Sequence, residues 1–199
     1  QFLKWLHDYC VSIKSDVYIV GEGSWGNQGE NKTYQSGSNV DSFFNFECQG
    51  ADGYPAQLAF KHDASYLYYG INKTLSSIGS TGIVAPFIAN HDTGRLYAAA
   101  HGSISLGNVK MAYGALQMYG GCSFSYYGDE AGLQVLYTGG TSGYKDEDKR
   151  QPMPWGDKYR CKPVTGSKSG TDAEKYPLGS IESQLADSSS LINYVKKGR

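Results

Sequence analysis

Residues 83 to 95 read Ile-Val-Ala-Pro-Phe-Ile-Ala-Asn-His-Asp-Thr-Gly-Arg, an apolar run that stops abruptly at Asn90, His91 and Asp92, with Arg95 three residues on. A strand buried on both faces reads as a nearly continuous apolar run, and in barrels of alternating strands and helices the reacting groups lie where such strands end. The same grammar occurs twice more: Val17 to Val20 runs into Gly21 and Glu22, and Phe124 to Tyr127 runs into Gly128, Asp129 and Glu130. Any one run could be an ordinary strand leaving the core for a polar loop. Three that each deliver a carboxylate at the carboxyl end point to one shared face, with Glu22, Asp92 and Glu130 on it.

Working outward, the chain alternates between helical and extended patterns. Phe2, Leu3, Trp5, Leu6, Tyr9, Cys10 and Ile13 form a helical apolar stripe over residues 1 to 15, with no capping residue before it, as in a chain entered mid-element. The strand Val17 to Val20 follows. A Gly-, Asn- and Ser-rich stretch from Gly23 to Asn39 reads as a long loop, a length usually tied to function. Val40 to Phe46 is the next strand, and a helical stretch beginning at Ala56 is broken at Lys61-His62-Asp63 and resumed from Ala64 to Ile78. After the strand Ile83 to Ala89 come a helix from Gly107 to Tyr119, a strand from Cys122 to Tyr127 and a final helix from Ile181 to Lys197, with Ser180 or Ser188 as caps. Strand and helix thus alternate four times, the pattern of a parallel sheet with helical crossovers. The segment Lys145 to Arg150 reads as a solvated charged run.

Composition narrows the class of partner. With 199 residues, 40% of them apolar and 14% aromatic, the chain can build one domain with a real core. A net charge of -1 and the lack of any Lys or Arg run exclude a broad attraction for nucleic acid or an anionic membrane. No apolar stretch approaches the length of a membrane span, and no signal peptide is evident. The 17 tyrosines, 26 glycines and 3 tryptophans suit faces that stack on sugar rings and loops that wrap them, though tyrosine also serves cores. Cys10, Cys48, Cys122 and Cys161 have no metal-like spacing and read as free packing residues, with neither disulfides nor zinc expected.

A glycosidic bond is cleaved by two carboxyl groups on opposite sides of it, one protonated and one ionised. Glu22 and Asp92 are the candidates, each just past an apolar strand, with the His91 imidazole placed to bind a sugar hydroxyl. Each also has a plain structural reading: Glu22 as a salt-bridge partner, His91 as a core histidine, Asp92 as a helix N-cap.

At these residues the sequence resembles the α-amylase family of retaining α-glucan hydrolases, over nearly the whole chain. Val-Tyr-Ile-Val-Gly-Glu at 17 to 22 looks like the family's fifth-strand motif, which carries the general acid/base over to Glu22. Phe-Ile-Ala-Asn-His-Asp at 87 to 92 looks like the seventh-strand motif, carrying a transition-state-stabilising carboxylate to Asp92 and a substrate-binding imidazole to His91. Ser-Tyr-Tyr-Gly-Asp-Glu-Ala-Gly at 125 to 132 resembles the end of the eighth strand, and Asp-Ser-Phe-Phe-Asn-Phe at 41 to 46 the sixth. Arg150 with Pro152-Met-Pro-Trp155 resembles the loop after the eighth. Trp25, Asn90 and Arg95 join His91 as residues expected to touch the sugar.

The resemblance implies the carboxyl-terminal half of a (β/α)8 TIM barrel, residues 1 to 199 forming one partial catalytic domain with no separate second domain. The stretch after Glu22 looks one residue longer than the family's Gly-Glu-Val-Trp pattern. Counterparts of the first four strands are absent, and no Phe-Arg-x-Asp-x-x-x-His motif supplies the nucleophilic aspartate. The implied function is cleavage of α-1,4-glucosidic bonds in starch and maltooligosaccharides with retention, by an enzyme whose missing amino-terminal half holds the nucleophile. In such an enzyme Glu22 needs a raised pKa, for which Trp25 would supply apolar surroundings. The chain alone is then expected to be inactive. A catalytically silent glucan-binding module, an α-1,6-glucosidase and a glucanotransferase are the alternatives. No cofactor or metal is expected in this chain, while calcium is possible in the complete enzyme, and the setting is extracellular or at the surface of a bacterium.

Overall fold

The computed structural model describes residues 1–23, 28–38, 40–79, 82–99, 105–134, 149–156 and 177–198. In chain order its elements are α1 (Phe2–Ile13), β1 (Val20–Gly21), α2 (Gln28–Ser38), β2 (Ser42–Asn45), α3 (Tyr54–Lys61), α4 (Ser65–Ile78), β3 (Ile83–Pro86), α5 (Leu96–Ala99), α6 (Leu106–Met118), α7 (Ile181–Ala186) and α8 (Leu191–Lys197). Short 3-10 turns at Phe46–Cys48 and Asp129–Ala131 follow β2 and the last extended segment.

The sheet is parallel throughout. Val20 pairs with Ser42 and Gly21 with Phe43, and Ser42 to Asn45 run alongside Ile83 to Pro86 in unbroken register. A parallel bridge between Phe87 and Phe124 adds a fourth extended segment, entered through the bond from Cys122 N to Val84 O at 2.8 Å. Gly121 makes that entry possible. Its φ is +75°, and a Cβ there would lie 2.1 Å from the Val84 carbonyl oxygen.

One sheet face is aromatic: Phe44 meets Phe87 and Phe124 edge-on at centroid separations of 5.5 and 4.9 Å, and Tyr18 stacks on Phe124. The opposite face meets helices, with Asn45 bonded to Thr74 of α4 and Gln35 of α2 reaching the Ile83 carbonyl. Beyond β3 the main apolar cluster joins Ala56 and Ala59 of α3, Ile88, Leu96, Val109 and Leu116 of α6, and Leu191 and Val195 of α8.

Several expected boundaries move. The first strand begins at Val20, not Val17, because the Asp41 carboxylate accepts the Ile19 N–H at 2.7 Å, replacing a ladder partner by a side chain. The expected loop from Gly23 to Asn39 contains the helix α2. Its inward face is made of amides, Asn31 and Gln35 one turn apart and both buried, so no apolar stripe announces it. The fourth segment keeps only the Phe124 bridge instead of a strand over Cys122 to Tyr127.

The single closing helix is two. Asp187 Oδ1 accepts from the Ser189 amide and hydroxyl, and the Asn193 amide group donates to the carbonyls of Gln184, Leu185 and Asp187, which fixes a sharp polar turn. Ser180 caps α7, and Ser190, not Ser188, caps α8. Cys10, Cys48 and Cys122 carry free thiols, and Cys161 lies outside the described residues. Among the described residues no helix is long and apolar enough to cross a membrane.

Candidate active site

Because every strand runs the same way, the segments that leave β1, β3 and Phe124 emerge at one edge of the sheet. Glu22 follows β1 directly and is exposed. Asn90 to Asp92 lie just past the Phe87 bridge, and Asp129 and Glu130 just past Phe124. The shared carboxyl-end edge expected for Glu22, Asp92 and Glu130 is the arrangement found, although Glu130 is half-buried where the other two face solvent.

The loop after β3 is shaped by its own side chains. Asn90 Oδ1 accepts from the Asp92 amide at 3.1 Å and from the Thr93 hydroxyl at 2.9 Å, while Thr93 Oγ1 accepts the Asn90 amide at 3.3 Å. Asparagine favours such a turn because its carbonyl stands in for a backbone acceptor two residues on. The turn projects His91 and Asp92 outward, their side chains 52% and 41% exposed, with His91 Nε2 3.4 Å from Asp92 Oδ2. Asn90, expected to touch sugar, thus commits its oxygen to holding this turn.

A second segment closes over the loop. Lys149 Nζ donates to the Asp92 carbonyl at 2.9 Å, Arg150 Nη2 lies 3.5 Å from Asp92 Oδ1, and Arg150 Nε approaches the His91 carbonyl at 3.5 Å. The charged run ending at Arg150 turns its last two residues onto the site while Arg150 stays exposed, and residues 145–148 lie outside the described residues.

Arg95 is a correction. Expected to touch substrate, it is completely buried. Its Nη1 donates to the Tyr127 carbonyl and, at 2.9 Å, to Asp129 Oδ1, and its Nη2 donates to the Lys149 carbonyl at 2.9 Å. The guanidinium lies 4.1 Å from the centre of the Tyr126 ring and 4.8 Å from that of Tyr127. Burial pushes Asp129 up to about 6, an effect larger than the pull of the Arg95 guanidinium in the other direction. The same burial pushes the Tyr126 hydroxyl up to about 12. Trp25 lies outside the described residues.

Among the described residues no group of three or more His, Cys, Asp or Glu side chains is placed to hold a metal ion. What the edge offers instead is proton-transfer and electrostatic chemistry: an exposed carboxyl group at Glu22, and a carboxylate at Asp92 oriented by the turn and a neighbouring guanidinium.

Comparison with known proteins matches this arrangement to a family. The model of the alpha amylase catalytic domain matches residues 1–198. Alpha-amylase 3 of Dictyoglomus thermophilum is 30% identical over 165 residues, covering 81% of this chain and 30% of its own length. Alpha-amylase SusG of Bacteroides thetaiotaomicron is 34% identical over 112 residues, 56% of this chain and 15% of that protein. The solved structure of Eubacterium rectale Amy13B superposes with a TM-score of 0.78 at 30% identity, over 98% of this chain and 38% of that one. The chain thus spans less than two fifths of the length of each of these proteins.

Proposed function

The chain belongs to the α-amylase family of glycoside hydrolases, and on that premise we propose that it forms strands five to eight of a retaining α-glucan hydrolase, supplying the general acid/base and the transition-state stabiliser but not the nucleophile. The observation that carries the reading is the placement of Glu22 and Asp92 on one carboxyl-end edge of a wholly parallel sheet.

In this mechanism an aspartate from a complementary part of the barrel attacks the anomeric carbon. Glu22 gives its proton to the departing glycosidic oxygen. Glu22, now ionised, then takes a proton from the water that attacks the glycosyl intermediate, so two inversions leave the configuration retained. Asp92 faces the positive charge that develops on the sugar ring in both steps. His91, exposed beside Asp92, donates to a sugar hydroxyl. Trp25 adds contact with the sugar.

The partner in this account is the amino-terminal half of the barrel. Two features support it: β1 is the edge strand of the described sheet, and Phe2, Trp5, Tyr9 and Ile13 form an exposed apolar stripe on the neighbouring α1. Both suit a further strand and helix packed alongside, and an uncovered strand edge is otherwise a site of aggregation. The substrate is an α-1,4-linked glucan, starch or maltooligosaccharide. Starch is too large to cross a membrane, which supports a setting outside the cell or on its surface, and the two named relatives of known sequence are bacterial. Should the complete enzyme bind calcium, its ligands would come from segments outside this chain.

Glu22→Gln in the enzyme that carries this chain tests the reading. It keeps the reach of the side chain and removes its titration, so starch turnover should fall about a hundredfold to ten-thousandfold. Asp92→Asn should be similarly damaging, since an amide cannot offset an oxocarbenium-like charge. Unchanged turnover in Glu22→Gln would remove the assignment, and binding of maltooligosaccharides with no turnover in the parent would favour a silent binding module.

A further inference from the structure

Arg95 follows Asp92 by three residues and bonds to two other segments, one of which, at 149–150, itself meets Asp92. Its Nη1 grips the end of the last extended segment at Tyr127 and Asp129, and its Nη2 grips the carbonyl of Lys149. Lys149 in turn reaches back through its ammonium group to the Asp92 carbonyl, and the next residue, Arg150, meets the Asp92 carboxylate. The contacts close a ring: Asp92, the short loop to Arg95, the guanidinium, the Lys149 backbone, and Asp92 again. We infer that Arg95 is the positioning residue for Asp92, a buried clamp that fixes the site carboxylate by holding its own loop and the overlying 149–150 segment in one place.

This rests on the stabilising role proposed for Asp92. Asp92 itself is exposed, so its own contact with Arg150 at 3.5 Å is weak in water. Arg95 has no such weakness. It is wholly buried, its ion pair with Asp129 is shielded from solvent, and its planar fork serves three acceptors on two segments at once. The rigid member of the ring therefore sets where the exposed member stands.

Arg95→Lys in the enzyme that carries this chain is the test, because an ammonium keeps the charge but cannot reproduce the fork. The expected result is a fall in kcat of about tenfold to a hundredfold with KM changed less than about twofold, as for a displaced group that acts in the transition state. In a Lys149→Met/Arg150→Gln background, where the overlying segment has lost its hold on Asp92, Arg95→Lys should add little. An unchanged kcat in folded Arg95→Lys, or a loss of equal size in both backgrounds, would overturn the inference.

Asp129→Asn loosens the same clamp without altering Arg95 and should lower kcat by a smaller factor; no loss there would count equally against it. A measurement independent of turnover separates this inference from the catalytic assignment. In hydrogen exchange of the unsubstituted 199-residue chain, residues 91–95 and 149–151 should open as one unit, and unrelated opening rates would overturn the clamp. If Glu22→Gln kept full turnover while this shared opening held, the catalytic roles would fall and the clamp would stand.

Discussion

Arg95 Nη1 lies 2.9 Å from Asp129 Oδ1, and neither side chain reaches solvent, their exposures being 0% and 2%. Taking two charges out of water is costly unless the geometry and further hydrogen bonds offset it, and here the Tyr127 and Lys149 carbonyls supply those bonds to the guanidinium. The carboxylate side is less well provided, which is why burial dominates and Asp129 rises to about 6 from its ordinary 3.8. The folded protein accordingly holds this proton more tightly than the unfolded chain does.

A pH dependence follows from that sign. Where the folded state binds more protons than the unfolded one, stability falls as pH rises. The contribution of Asp129 is fully present below about 3.8, declines between there and about 6, and is flat above. Asp129→Asn cannot titrate. In urea melts from pH 4 to 7, the stability of the unsubstituted protein relative to Asp129→Asn should therefore decline through this window and level off beyond it. A difference independent of pH, or one that grows with pH, would show that Arg95 and not burial governs the carboxyl group.

Behind the sheet a second buried polar contact ties β2 to two helices. Thr74 Oγ1 of α4 accepts from Asn45 Nδ2 at 3.0 Å and shares a hydrogen bond of 2.8 Å with the hydroxyl of Tyr119 at the end of α6. Burial raises the Tyr119 hydroxyl far above its ordinary range, so it stays protonated and able to donate. Thr74→Val keeps the shape and removes the shared oxygen, and should lower stability by about 1–3 kcal/mol at unchanged urea m-value. A loss within about 0.5 kcal/mol would mean that the contact contributes nothing beyond packing.

The parallel β/α order was legible because its signals are local: apolar runs for strands, a period of 3.6 for helices, glycine between them. α6 shows the point, with Val109, Ala112 and Leu116 buried along one side and Ser105 capping its start. α2 was not legible, because its buried positions are Asn31 and Gln35 and a scale that counts apolar residues does not register an amide face. The break at residues 187 to 190 was also missed, since serines and an aspartate read equally well as a solvated helix face until Asn193 is seen bonded across the turn.

In the site the same division holds. His91 and Asp92 stand at a strand end, where pattern alone directs attention, and the structure leaves both exposed there. Arg95 sits only three residues further, yet its role depends on Asp129 and Lys149, partners 34 and 54 positions away. A contact over that separation leaves no periodic trace, so the arginine read as a substrate contact when it is a buried brace.

The central claim is that this chain holds an acid/base and a stabiliser while the nucleophile lies elsewhere, and starch hydrolysis by the purified 199-residue chain tests it most directly. The structure has already committed two of its other carboxylates, Asp41 to the Ile19 amide and Asp129 to Arg95. With reducing ends counted against buffer and a Glu22→Gln preparation as the control for contaminating amylase, the account expects no turnover from either protein. Turnover by the unsubstituted chain that disappears in Glu22→Gln would contradict it, and would require Asp41, Asp129 or the half-buried Glu130 to act as the nucleophile.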